Sequence, residues 1–358
     1  MPSIDSSAAA IPYRNAGSIP RPSGTATSAF LGYVRQKLLL LAGLAAATAL
    51  LAVIAITQGA YDLTIPRTLQ ALFGAADGAT KVVVWNIRMP RIIAALAVGW
   101  GLSLSGLSLQ SILKNPLGSP STLGISQGAA FGAAAAIIVF GSRVFSVTVF
   151  AFGGAMGATF IILFLARLRR LSPEAVILAG VALSSLFTSA TTLLQYAATE
   201  TQLATVVFWT FGDVARSNWR EIGLMAAAAG AATVYWMARR WDLNALSSGE
   251  ETARGLGVNV DRVRLEGMMI AAVVAALATA FHGVIAFVGL IAPHIARRLV
   301  GEDHGMLVPF SALLGALLLL SADTVGRIIV GSGALPVGVV TSFMGAPMFL
   351  YLLIRGYK

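Results

Sequence analysis

From residue 36 onward the chain is a succession of about ten apolar stretches, each near 20 residues long, broken by short polar interruptions. A hydrocarbon core of roughly 30 Å takes about 20 residues of α-helix to cross. Inside it every backbone amide must find its partner within the segment or in a closed barrel. The stretches are continuous and rich in Ala, Leu, Val and Gly, without the alternation that marks barrel strands, so helices are the expected solution. Only 11% of the 358 residues are charged and mean hydropathy is +0.81, against roughly 25% charged residues in soluble domains. The sequence predicts an all-α, polytopic integral membrane protein of about ten transmembrane helices. They are expected over 36–57, 90–113, 120–140, 144–166, 173–197, 221–238, 264–282, 284–300, 306–322 and 335–354.

Residues 1–34 are rich in Ser, Ala, Pro and Gly and read as a disordered cytoplasmic tail, followed by a single transmembrane domain over 35–358. Arg35 and Lys37 precede the first span and no small-residue cleavage site follows it, so that span is expected to be retained. There is no cysteine, which excludes disulfides and thiolate chemistry. The net charge of +10 does not indicate nucleic acid, because the basic residues are scattered at span ends. Most of the 25 Lys and Arg fall on one side if both termini are cytoplasmic, as the positive-inside rule requires. A bacterial inner membrane is the expected location. Two connections are long enough to hold structure, 58–89 outside and 239–263 inside. A third, 198–220, carries an apolar piece around Thr205 to Phe211 that suits a short re-entrant or surface helix.

Helices in lipid have little hydrophobic drive to associate, so close packing is expected where small residues recur every fourth position. Gly124, Gly128 and Gly132 satisfy this, as do Gly153 and Gly157. The fifth span sets Ser184, Thr188, Thr191 and Gln195 on one helical face. Such hydroxyls either return hydrogen bonds to their own backbone or line a watery path. Each acidic residue can be placed in a loop or within a turn of a helix end, Glu174, Glu266 and Asp323 lying nearest the hydrocarbon. A secondary transporter generally needs buried ionisable groups near the midplane, so that rival class is disfavoured. A membrane-embedded enzyme would need a convergent cluster. His282, His294 and His304 have neither His nor carboxylate partners at metal-binding spacing, so no metal site is expected, although His282 could touch a metal chelate.

None of the four lysines, Lys37, Lys81, Lys114 and Lys358, follows a glycine, so no phosphate-cradling Gly-Lys-Ser/Thr loop is present. Energy must come from a separate ATPase, and the segment 239–263 offers a surface for one. Gly249 and Gly257 bracket about two helical turns with Glu250, Glu251 and Arg254 expected to be exposed. No cofactor is expected on this chain; ATP and Mg belong on the partner.

Several ordered blocks carry a resemblance. Arg88-Met-Pro-Arg91, Lys114-Asn-Pro-Leu-Gly-Ser-Pro120 and Leu123-Gly-Ile-Ser-Gln-Gly-Ala129 come first. Then follow Gly249 to Gly257, Gly289-Leu-Ile-Ala-Pro-His-Ile-Ala-Arg297, Ala322-Asp-Thr-Val-Gly-Arg327 and Leu335-Pro-Val-Gly-Val-Val-Thr-Ser-Phe-Met-Gly-Ala-Pro347. Together they resemble the FecCD-type permease subunits of bacterial ABC importers for iron-siderophores, haem and cobalamin, over about residues 36 to 355. The resemblance implies a ten-helix permease with the BtuC-like fold, working as a homodimer with two ATPase subunits and a periplasmic binding protein. It implies a path lined by Ser184, Thr188, Thr191 and Gln195, and a cytoplasmic gate at Asn115, Leu117, Ser172 and Pro173. It further implies ATPase coupling through Gly249, Glu250, Glu251, Ala253, Arg254 and Gly257, and docking of the binding protein on Arg88, Arg91 and Arg327. The implied cargo is a metal chelate, an iron(III)-siderophore first, with haem or cobalamin as same-family alternatives.

Overall fold

A computed structural model describes residues 26–59, 61, 63–74, 78–141, 144–168, 171–330 and 335–354. Among them there is no strand. The helices are α1 (Ala26–Thr57), α2 (Ile65–Leu72), α3 (Gly78–Val82), α4 (Met89–Ile112), α5 (Ile125–Val139), α6 (Val144–Leu168), α7 (Pro173–Tyr196) and α8 (Glu200–Thr210). They continue with α9 (Trp219–Ala238), α10 (Arg240–Ser247), α11 (Glu250–Gly255), α12 (Val260–His282), α13 (Val288–Val300), α14 (His304–Val330) and α15 (Val337–Ile354). A π-helical segment, Val83–Arg88, joins α3 to α4, making one rod from Gly78 to Ile112. The chain divides into a unit ending at Leu40 and a body from Leu41. Residues 1–25 of the expected tail lie outside the described residues, and α1 begins at Ala26, within that tail.

Among the described residues ten helices occupy the ten expected spans, and seven helical segments are long and apolar enough to cross a membrane unaided. The protein is a polytopic membrane bundle. Local chemistry sets the ends. Ser172 accepts from the Ala175 amide at the start of α7 and Pro173 takes the first helical position, where its missing N–H costs nothing. Asn218 and Asn259 cap α9 and α12 in the same way. The apolar piece expected near residue 205 is α8, opened by a capping box of Thr199 and Gln202. At 13 residues, α13 is only about 20 Å long. The remainder of that span is the non-helical stretch 284–287, buried or partly covered by the protein, the setting in which irregular backbone is tolerated at membrane depth.

The central helix is α4, which packs on α9, α12, α13 and α14. Every residue from 101 to 113 is buried. Two glycines allow the approach. A Cβ on Gly99 would lie 2.2 Å from the Gly315 carbonyl oxygen, and one on Gly106 would lie 1.7 Å from that of Gly289. Serines between and just beyond them reach the neighbours' backbones: Ser103 donates to Ser311 O at 2.6 Å, Ser105 to Ala271 O at 2.6 Å and Ser108 to Gly267 O at 3.2 Å. Interhelical bonds of this kind average about 0.6 kcal/mol each in membranes, so close backbone contact and these bonds act together. Large apolar side chains such as Phe164, Leu186, Leu193 and Phe343 face outward, the reverse of a soluble protein.

The α5–α6 contact is made by Gly128 against Gly154 and by Gly132 against Phe150. Gly153 and Gly157, expected to pack, face open space. The helical phase of α6 differs by one residue from that reading, and spacing alone cannot distinguish the two. Gly106→Ala is accordingly expected to lose about 3 kcal/mol through overpacking, whereas Gly153→Ala should stay within about 0.5 kcal/mol of the parent. Thermal unfolding in detergent by circular dichroism checks both; equal midpoints would contradict the packing.

Candidate functional site

Where α4 ends, α12, α13 and α14 converge on it, and α11 is joined to it through α12. The Gln110 side chain donates to the carbonyls of Gly289 and Leu290 at 3.3 and 3.2 Å and accepts from Arg297, tying α4 to α13. Ser111 lies 2.9 Å from His304 Nε2 at the start of α14. Arg264, buried in the first turns of α12, donates from Nε to the Ile112 carbonyl at 3.3 Å. Its Nη2 reaches Glu250 Oε2 at 2.7 Å. Glu250 opens α11, so a short external helix is joined through one carboxylate and one guanidinium to the last carbonyl of the central helix.

In α11 and the residues that follow it, the expected positions fall into distinct places. Ala253 is buried, while Glu251, Arg254 and Gly257 are exposed, together with Thr252 and Leu256. Glu250 is half-buried and accepts from Arg254 at 2.9 Å as well as from Arg264. The Arg264 hydrogen bond, then that of Arg254, holds the Glu250 carboxyl below its ordinary range. A lowered carboxylate pKa stabilises the fold at every pH above the unfolded value, and the contribution fades only as acid protonates the folded carboxylate. Gly249 has φ +133° and Gly257 φ +85°, so glycine is needed at both boundaries. On α10, Asn244 accepts from the His304 amide at 2.9 Å and donates to Asp303 at 2.8 Å, fixing this helix to α14.

The chain leaving α4 forms the proline-bracketed loop of 113–124. Asn115 Oδ1 accepts from the Leu117 amide at 2.9 Å and the Asn115 amide donates to Gln110 O at 3.2 Å, which pins the turn to the same hub. Leu117 is exposed. Ser172 and Pro173 start α7, which packs on α5 directly after this loop. Lys114 and Leu171 adopt left-handed φ of +47° and +53°, an uncommon geometry for non-glycine residues.

The expected polar face of α7 is divided. Thr191 is buried and donates to Phe187 O; Ser184 and Gln195 are partly covered, and Thr188 is exposed, donating to Ser184 O. The exposed row instead runs Ser185, Thr188, Ser189 and Thr192. Sequence reasoning missed Ser185 and Ser189, since spacing identifies faces but not which of them is covered.

At the opposite end the arginines correct an expectation. Arg88 and Arg327 are buried and Arg91 is nearly so, so the three do not project as an exposed docking cluster. Arg88 donates to the carbonyls of Ile56, at 2.7 Å, and Tyr61. Arg327 donates to those of Ala55 and Gln58 at 2.8 and 3.1 Å. Each guanidinium thereby satisfies one carbonyl in the last turn of α1, where the helix dipole favours positive charge, and one in the segment that follows. Asp323, fully buried, pairs with Arg91 at 2.7 Å and Arg327 at 3.2 Å. It was expected within a turn of a helix end. Because α14 continues to Val330, Asp323 sits two turns inside, and its burial is made tolerable by two cations. Glu266 is likewise interior, since α12 begins at Val260 rather than 264.

His282 is fully buried, with Nε2 at 2.8 Å from Ser217 Oγ and Nδ1 at 3.1 Å from Ala278 O, a structural bridge out of reach of a chelate. Among the described residues no group of His, Asp and Glu could hold a metal ion.

A helical membrane bundle broken before α13, with structured connections at one end, suits a transport permease. Residues 47–355 match the profile of the FecCD transport family. The chain belongs to that family. It is 52% identical over 316 residues to a Methanocaldococcus jannaschii protein described as an ABC transporter permease, covering 85% of this chain and 90% of that one. It is 40% identical to the cobalamin import permease of Halobacterium salinarum, over 81% and 78% of the two chains. Against the molybdate import permease of Haemophilus influenzae identity is 36%, over 88% and 96%. Other relatives are named for iron(III)-citrate, hemin and iron(3+)-hydroxamate. A solved inward-facing metal-chelate-type ABC transporter superposes with TM-score 0.79 at 33% identity, covering 89% of this chain and all of that one.

Asp323→Asn removes the carboxylate and leaves Arg91 and Arg327 facing each other in a covered site. It is expected to cost about 3 kcal/mol, seen as a lowered unfolding midpoint in detergent. An unchanged midpoint would show that Arg91 and Arg327 tolerate each other without the carboxylate.

Proposed function

We propose that the chain is the membrane-spanning subunit of an ATP-driven importer of a metal chelate, an iron(III)-siderophore in the first instance. It would act as a homodimer in the cytoplasmic membrane with two ATPase subunits and a binding protein on the opposite side. The observation that carries the proposal is the Glu250–Arg264–Ile112 connection, because it gives a surface helix mechanical purchase on the central helix and on the loop beside it. Both termini and α10–α11 then face the cytoplasm, in keeping with the distribution of lysine and arginine.

In this reading the exposed part of α11, with Glu251, Thr252 and Arg254, and the adjoining Leu256 meet the ATPase, between Gly249 and Gly257. Movement there passes through Glu250 and Arg264 to the end of α4, where Asn115 and Leu117, together with Ser172 and Pro173, control the cytoplasmic opening. The polar residues of α7 border the path: Thr188 directly, and Ser184, Thr191 and Gln195 from its covered edge. Neutral hydroxyls suit a bulky ligand that must be released rather than held. Arg88, Arg91 and Arg327 shape the surface offered to the binding protein by fixing the end of α1. Cobalamin is the second reading, supported by the 40% identity to a cobalamin permease.

Two measurements test this. In liposomes carrying this chain, its ATPase and its binding protein, an iron(III)-siderophore is expected to stimulate ATP hydrolysis and accumulate inside. Stimulation by cobalamin alone would replace the cargo assignment, and uphill uptake by the permease without an ATPase would overturn the class. Glu250→Gln is expected to leave ATPase binding intact while lowering the cargo moved per ATP hydrolysed; an unchanged ratio would show that the Glu250–Arg264 contact does not carry the coupling.

A further inference from the structure

The short helix α2 is built inside out. Its covered residues are Thr68 and Ala71, whereas Ile65 is 66% exposed, Leu69 48% and the adjoining Phe73 84%. These three recur every fourth position, so they form one ridge on the helix. Arg67 and Gln70 are also exposed, and at 100° per residue they fall on the side turned away from that ridge. Three faces result: one protein-facing and small, one polar, and one apolar without a partner.

The protein-facing side fixes the depth of the helix. It packs on α3 and on the π-helical segment, and the Trp85 indole donates to the Ala71 carbonyl at 3.0 Å. From Trp85 to Ile112 the rod measures about 40 Å at 1.5 Å per residue, against 40–45 Å for a bilayer including its headgroups. With Ile112 at one boundary, α2 therefore lies at the level of the opposite headgroups. Tyr61 and Trp85 are partly exposed at the same end, and such aromatic residues concentrate at the membrane–water interface. The helix is also continuous with the membrane on both sides, since it lies between α1 and the Gly78–Ile112 rod.

We propose that α2 is an interfacial helix whose Ile65–Leu69–Phe73 ridge is buried in the acyl–headgroup boundary of lipid, with Arg67 and Gln70 toward water. A helix lying in the interface with its apolar face sunk about 5–10 Å is a recognised mode of membrane attachment. Here it tethers the connection between the first two membrane crossings.

Because the chain has no cysteine, single-cysteine variants Ile65→Cys, Leu69→Cys, Phe73→Cys, Arg67→Cys and Gln70→Cys give unique nitroxide sites. The full chain would be placed in phosphatidylethanolamine–phosphatidylglycerol vesicles and read by electron paramagnetic resonance. Labels at 65, 69 and 73 are expected to collide severalfold more with oxygen than with a water-soluble nickel chelate, and those at 67 and 70 to show the reverse. Equal access of nickel at all five sites would mean that the ridge faces water. Low access of both reagents at 65, 69 and 73 would mean that protein covers it. Either result overturns the proposal, and neither depends on the cargo or on the ATPase.

Discussion

The bundle depends on how closely α4 approaches its neighbours. In lipid the apolar surface of a helix is as comfortable against acyl chains as against another helix, so association must come from contacts that lipid cannot offer. Gly99 and Gly106 bring the backbone of α4 within van der Waals reach of α14 and α13, and Ser103, Ser105 and Ser108 then find carbonyls on α14 and α12. On the α14 side distance and hydrogen bonding reinforce each other, since Gly99 lets the backbones meet one turn from where Ser103 reaches the Ser311 carbonyl. Everything that follows at the end of α4, from Gln110 to the loop after Ile112, inherits its position from this packing.

Charged groups are placed by the same logic. Arg88 and Arg327 are kept inside because helix ends in a membrane expose carbonyls that require donors. One buried aspartate, shared by Arg91 and Arg327, offsets part of the accumulated charge. At the other end Arg264 combines two tasks, capping α4 and holding α11. The molecule thus uses guanidiniums as fasteners at both of its faces, with several donors fanned out from one rigid group.

The spans were legible in the sequence because twenty apolar residues have few alternatives. So were the start of α7 at Ser172-Pro173 and the existence of α8. Asp323 was misplaced because Asp-Thr-Val-Gly-Arg reads as a polar loop when its partner Arg91 is hidden in another helix, 232 positions away. The same ignorance of partners made three internal arginines look like surface groups. Gly153 and Gly157 were preferred to Gly154, and Ser184 to Ser185, because periodicity gives a helix its faces without saying which neighbour each one meets. The surface helix at 250–255 and its glycine boundaries were foreseen, but its attachment through Arg264 was not, since nothing in a linear pattern distinguishes a solvated arginine from one sealed beneath a helix.

The capping of α1 by Arg327 also bears on the order in which the molecule can be completed. A nascent chain inserts its first helix long before residue 327 has left the ribosome, and until then the carbonyls of Ala55 and Gln58 lack the donor that the finished protein gives them. The end of α1 is therefore secured in two instalments, by Arg88 as α4 arrives and by Arg327 only when the penultimate helix does.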